Sequence, residues 1–392
     1  VNIRPDRQGP IRVGIVGARA DGFRWGSVAH VPALKALPDF ELVAVASTSQ
    51  SSAEAAAHAH GIPLAFGDYA GMLRHPDLDL VCVTTNMMTH FDLTRQAIEA
   101  GKDVFCEWPL APSTSQAIEL RDAARARGVR TLIGLQNRCA PEVAYVRDLI
   151  GQGYVGDVMS VVHQRANDQT SQLALPESYL YIVDRDRGNA GLTILGGHSL
   201  DIMDAYVGPF CDLQAYLEVL LPTVTVEGAG ADYPVTAPDH VLVQGRLAHG
   251  GVATAHMTMT SAMDKPFHLE ISGSTGLLAV TSKERLPPAE RQPGIPSDMR
   301  VYGLPGQGAD FEDLAVPTSY RRVPDAVPQG QPYNVAHLYQ QYADAVRAGA
   351  PNPLDFDHAV RIHQLLDSVN EAAEKRTRVQ VPRTPDQARK TA

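Results

Sequence analysis

Apolar and polar positions along this chain follow two different rhythms. Up to about Gln136, short and almost continuously apolar runs alternate with segments of helical period. The apolar runs are IRVGIV, ELVAVA, DLVCVTT, DVFCEW and TLIGLQ. Between them lie a helix around His30–Ala36, SSAEAAAHAH with Gly61 as its stop, HFDLTRQAIEA, and STSQAIELRDAARARG. Strands apolar on both faces, each followed by a helix, predict a parallel sheet covered on both sides. After Gly156 the period changes to two. DVMSVVHQRAN, DLQAYLEVLLPTVTVE, DHVLVQGRL, GGVATAHMTMTSA and FHLEISGSTGLLAVTS alternate between glycine-rich turns. That pattern predicts a large, mostly antiparallel sheet with one packed face. A Pro- and Gly-rich stretch, 286–333, reads as a long excursion over the surface. Two amphipathic helices, NVAHLYQQYADAVRAGA and DHAVRIHQLLDSVNEAAEKR, follow it.

A length of 392 residues suits two domains, placed at 11–138 and 139–380. The fold class expected is α/β: an N-terminal doubly wound parallel sheet of Rossmann type, then a C-terminal α/β domain with the antiparallel sheet. Composition adds mainly exclusions. A formal charge of −10, with no long basic run, argues against a nucleic-acid partner. No apolar stretch approaches the roughly 20 residues of a membrane span. The polar N-terminal arm runs into the first strand without a visible signal peptide, so a cytoplasmic location is expected. Cys82, Cys106, Cys139 and Cys211 are widely spaced and read as reduced thiols, not disulfides or metal ligands.

The first strand leads into a glycine-rich loop, GIVGARADGFRWGSVAH. A dinucleotide loop needs glycines for a tight turn and for backbone N–H groups to approach a pyrophosphate at a helix N-terminus. Gly14 lies in the strand, and Gly17 fits the first loop position. Arg19 occupies the second, and either Gly22 or Gly26 could be the third. Ala18, Arg19 and Trp25 complete the candidate cofactor loop. The second strand ends at Ala46-Ser47-Thr48-Ser49 without an acid to hold a ribose hydroxyl. Ser47 and Thr48 would then line the ribose site, which tilts the expectation toward NADP and leaves NAD open.

Four further segments carry a family resemblance: TTNMMTH at 84–90, CEWPLA at 106–111, LQNRCAP at 135–141 and GNAGLTILGGHSLD at 188–201. In this order they resemble the signatures of the Gfo/Idh/MocA (glucose–fructose oxidoreductase/inositol dehydrogenase) family. The variant spellings resemble the branch containing the co-repressor of the yeast galactose regulon. The resemblance implies cofactor contacts from Thr85, Asn86, His90, Glu107, Trp108 and Gln136. It also implies substrate contacts from Trp108, Arg138, Arg165, Asn167, Tyr179, Tyr181, Asp184 and His198, and a homodimer or higher oligomer through the C-terminal sheet. His198 matches the family's catalytic histidine, with Tyr181 as a second candidate for proton transfer. An ordinary imidazole pKa of about 6.5 would suit that work.

Two family positions are changed. Trp108 stands where the family has its catalytic Lys, and Ile194 where it has an Asp. An indole N–H donates a hydrogen bond but takes up no proton. The reading is therefore an NAD(P)-dependent oxidoreductase for a carbohydrate, polyol or related cyclic compound, with a non-standard site. A silent dinucleotide-binding sensor and an NAD-dependent redox glycosidase stand as alternatives.

Overall fold

The computed structural model describes residues 9–21, 24–166, 174–228, 230, 232–260, 267–282, 299–306 and 309–382. Contacts divide the chain into two units. The first is Val1–Cys139 with Arg321–Val360, and the second Ala140–Tyr320 with Arg361–Ala392.

The first unit is built on six parallel strands: β1 (Ile11–Val16), β2 (Phe40–Ala46), β3 (Leu64–Phe66), β4 (Leu80–Val83), β5 (Asp103–Glu107) and β6 (Thr131–Gly134). Their order is β3-β2-β1-β4-β5-β6, the doubly wound arrangement that the alternating pattern predicts. The strands are apolar because helices cover both faces, and every residue of β4 and β6 is buried. Helix limits follow local chemistry. Ser49 caps the helix Gln50–His60, which Gly61 ends in the left-handed region at φ 57°. Ser113 and Gly128 do the same for Thr114–Arg127. A wide helical turn, Gly26–His30, runs directly into Val31–Ala36, so this helix starts four residues before the expected His30.

In the second unit the strands are β7 (Val158–Ala166), β8 (Phe210–Glu218), β9 (Thr223–Thr225), β10 (Asp232–Pro234), β11 (His240–Leu247), β12 (Val252–Thr258), β13 (Phe267–Gly273), β14 (Leu277–Ser282), β15 (Met299–Leu304), β16 (Glu312–Asp313) and β17 (Val379–Gln380). The large sheet runs β16-β15-β14-β13-β7-β12-β11-β8-β17 and is antiparallel except for the β7–β12 pair. β9 and β10 form a separate pair. The expectation of one surface excursion over 286–333 needs correction. Met299–Leu304 pairs along its whole length with β14 and buries Met299, Val301 and Gly303. Its six-residue alternation was hidden among the surrounding prolines and glycines. Among the described residues no helix is long and apolar enough to cross a membrane.

Candidate dinucleotide and substrate sites

A parallel sheet brings the carboxyl ends of its strands to one edge, and the order reversal between β1 and β4 leaves a crevice there. In the first unit that edge collects Gly17, Ser47, Thr85, Trp108 and Gln136. Gly17 turns the chain out of β1 at φ 107°. A side chain there would meet the Thr84 carbonyl oxygen at 2.6 Å, so the turn requires glycine. Gly26 opens the following helix, and a Cβ there would collide with Thr84 Oγ1 and lie 3.1 Å from the Ala18 nitrogen. Of the two candidates for the third loop glycine, Gly26 thus makes the close helix–strand approach, while Gly22 lies outside the described residues. Gly14 sits inside β1, packed by Leu78 and Met72, not in the turn.

The loop is held from two sides. Ser27 Oγ accepts from the Arg19 amide and lies 2.8 Å from the Arg19 carbonyl. That carbonyl also accepts from His60 Nε2 at 2.8 Å, which ties the loop to the end of Gln50–His60. Arg19 itself is exposed beside Asp21. Ala18 is buried. Ser47 is half-buried and Thr48 exposed, with Ser49 committed to its helix cap.

Beyond β4, Asn86 Oδ1 accepts from the Met88 amide and shapes a short turn, and Thr85 and Thr89 join hydroxyls at 2.7 Å. His90 is buried with Nδ1 2.7 Å from the Pro109 carbonyl and Nε2 3.1 Å from that of Thr85. Burial pushes its pKa down, so a neutral ring donates through one nitrogen, here placed on Nδ1 where the contact is shorter. This histidine braces the chain leaving β4 against the segment following Trp108.

Trp108 is 4% exposed. Glu107 before it is also buried and accepts from His30 Nε2 at 2.7 Å. His30 Nδ1 in turn accepts from the Tyr339 hydroxyl at 2.7 Å, and Cys82 Sγ lies 3.0 Å from the same oxygen. Burial raises the Tyr339 hydroxyl far above its usual range and pushes the Cys82 thiol up to about 12. The Tyr339 hydroxyl and the Cys82 thiol therefore keep their protons. Sequence reasoning missed this chain, since Tyr339 lies 309 residues beyond His30 and belongs to no motif.

Three buried polar groups at this edge lack partners among the described residues: Trp25 Nε1, Gln136 Oε1 and both amide atoms of Asn137. Unsatisfied buried polar atoms call for a ligand. With the glycine cradle at Gly17 and Gly26, they fit a dinucleotide. Arg138, beside them in sequence, points Nη1 at His358 Nε2, 2.7 Å away.

In the second unit, the wide turn Gly191–Gly196 continues into the helix Gly197–Val207, which carries His198. His198 is 8% exposed and its Nδ1 is buried without a partner. Burial first, then the charge of Arg165, lower its pKa to about 3, while Asp201 opposes them. The ordinary imidazole expected from sequence is corrected here to a neutral one throughout the physiological range. Ile194 is half-buried one turn earlier. Arg165, on β7, is buried and donates to Ser199 Oγ at 3.5 Å. Tyr179 and Tyr181 stack with centroids 6.1 Å apart on the short helix Glu177–Ile182. Asp184 is engaged by its own loop: it accepts from Tyr233 at 2.5 Å and from the Asp186 amide, and the Tyr233 bond leads in lowering its pKa. Asn167 lies outside the described residues. Among the described residues no group of three or more acidic, histidine or cysteine side chains could hold a metal ion.

Comparison with known proteins agrees with this fold. The family model described as an oxidoreductase family with an NAD-binding Rossmann fold, GFO_IDH_MocA, matches residues 11–135, and that of the Gal80p C-terminal domain matches 141–282. The first part of the chain thus matches the Gfo/Idh/MocA family and the second the Gal80p C-terminal domain. Dehydrogenase aclE of Aspergillus oryzae is 35% identical over 217 residues, which cover 54% of this chain and 59% of that protein. The galactose/lactose metabolism regulatory protein GAL80 of Saccharomyces cerevisiae is 29% identical over 258 residues, 62% of this chain and 59% of its own. The chain thus spans under two thirds of either relative. A solved levoglucosan dehydrogenase, in complex with NADH and L-sorbose, shares the fold with a TM-score of 0.80 at 21% identity, covering 96% of this chain and 100% of that one.

Proposed function

We propose that this protein is an NAD(P)-dependent oxidoreductase acting on a carbohydrate, polyol or related cyclic compound. The observation that carries the reading is His198: a buried, neutral imidazole whose Nδ1 has no partner, at the motif position of the family's catalytic histidine. A neutral ring offers one lone pair to accept a hydroxyl proton. The nicotinamide would supply the hydride chemistry when bound. The loop Gly17–Gly26, Trp25, Gln136 and Asn137 would hold it, and the edge following β2 brings no acid against a 2′-phosphate, which keeps NADP the favoured form with NAD open.

Loss of Lys and Asp is compatible with an acceptor that is already polarised, where positioning counts for more than proton transfer. A homodimer through the large sheet belongs to the same reading. Tyr216 and Leu242 stand directly opposite on neighbouring strands of it and both are exposed.

Purified protein mixed with NADPH or NADH and a panel of sugars, polyols and their keto forms should turn over at least one compound, followed by nicotinamide absorbance. Cofactor binding with no turnover across the panel favours the second reading, a sensor. That reading draws on the similarity to GAL80 and on Trp108 in place of Lys.

A further inference from the structure

Among the described residues of the second unit, one buried positive charge has no carboxylate partner. Arg165 is 6% exposed. A guanidinium presents five N–H donors, yet among the described residues Arg165 makes one hydrogen bond, the 3.5 Å contact with Ser199 Oγ, and pairs with no carboxylate. Its pKa is lowered to about 10 by burial, with no acid raising it. Asp201 acts on His198 but not on Arg165. Buried arginines are almost always paired, because an unpaired charge in a low dielectric is strongly unfavourable.

Two neutral histidines feel this charge. His198 has its Nδ1 unsatisfied. His163, two residues before Arg165 on the same face of β7, donates from Nδ1 to the His268 carbonyl at 3.1 Å, and its Nε2 is buried without a partner. Neither can neutralise Arg165, because an imidazole is neutral or positive, and both are held neutral with pKa values of about 3.

We propose that Arg165 receives a carboxylate of the substrate, so that the compound handled is a sugar acid or polyol acid and not a neutral sugar. This rests on the oxidoreductase reading for its site and adds the substrate class. A carboxylate suits a single guanidinium, whose planar fork matches its two oxygens and whose one charge it cancels. A phosphate dianion would call for a second cation; besides Arg165, only the His268 imidazole lowers His163 by its charge, and no second cation acts on His198.

The test uses the full-length protein, with and without NADH, in calorimetric titrations with D-galacturonate, D-glucuronate and D-gluconate. Their neutral partners D-galactose, D-glucose and sorbitol, and D-galactose 6-phosphate, are titrated in parallel. Wild type should bind at least one acid about tenfold or more tighter than its neutral partner, as a charge-assisted bidentate contact implies. Arg165→Met should erase that preference and melt at or above the wild-type temperature, because a charge without a partner has been removed. Equal affinity for acids and neutral compounds, tighter binding of the phosphate, or a preference that survives in Arg165→Met would each overturn the proposal. So would a variant that melts far below wild type, which would make Arg165 a structural residue. Arg165-dependent binding of an acid without turnover of any compound would uphold the anion site and count against the oxidoreductase. Turnover of neutral sugars with no acid preference would do the reverse.

Discussion

Position 108 carries a nearly buried indole, where the proposed reading expects the family's ammonium group. On that reading the exchange removes a proton carrier and adds a large apolar face with one donor. Restoring the charge should not restore alcohol oxidation. A Lys at a site only 4% exposed would be desolvated and shifted toward neutrality, and Ile194 would still stand where the family has an acid. Trp108→Lys is therefore expected to melt at a lower temperature and to gain no more than a few-fold in polyol oxidation. Vigorous oxidation by this variant would show that the pocket had not been rebuilt around the indole. Motif spacing singles out Trp108 and His198 as candidates in the sequence. The depressed pKa of His198 was not legible there, because it comes from burial and from Arg165, 33 positions upstream.

In the proposed reading the glycine loop and its helix hold the cofactor. Gly26 lies against Thr84 Oγ1, which donates to the Val16 carbonyl at 2.9 Å. A methyl group at 26 would push the helix Gly26–His30 off the end of β4 at a cost of about 1–3 kcal/mol, as overpacking does. Gly26→Ala should lower the melting temperature by several degrees and weaken NADPH and NADH binding by about tenfold or more, read by tryptophan fluorescence. Unchanged affinity would mean that the pyrophosphate does not approach this helix. The parallel, doubly wound sheet was readable from five strands apolar on both faces, while the three-residue edge strand β3 was too short and only half-buried to stand out. β15 was not readable either, since prolines and glycines on either side masked its alternation. Likewise nothing in the sequence joined Tyr339 to His30 and Glu107. That contact exists because the helix Gln331–Arg347 packs within the first unit.

Across the whole molecule, buried histidines set the response to acid. Burial leads in lowering the pKa of His163 and His198 to about 3 and of His337 and His363 to about 4. The unfolded chain binds these protons near pH 6.5 and the folded chain does not, so stability is complete above about 6.5 and falls as the pH drops toward the folded values. Each such histidine contributes a slope of about 1.4 kcal/mol per pH unit within that window. Denaturant unfolding followed from pH 7 to 5 should show a steady loss of stability. His163→Gln should flatten that loss by one proton's worth, and a pH-independent stability would contradict the buried neutral state of these rings.

Retained catalysis at His198 is tested most directly by comparing His198→Asn with wild type on whichever compound the panel shows to be turned over. Turnover and cofactor affinity should be measured on the same samples. The asparagine should lower kcat by about 10²-fold or more and leave the Kd for NADPH or NADH unchanged. Because the His198 pKa lies near 3, the wild-type rate of the free enzyme should show no inflection from this residue between pH 5 and 8. Undiminished turnover in His198→Asn, or a wild-type protein that binds the cofactor and turns over nothing, would contradict the account.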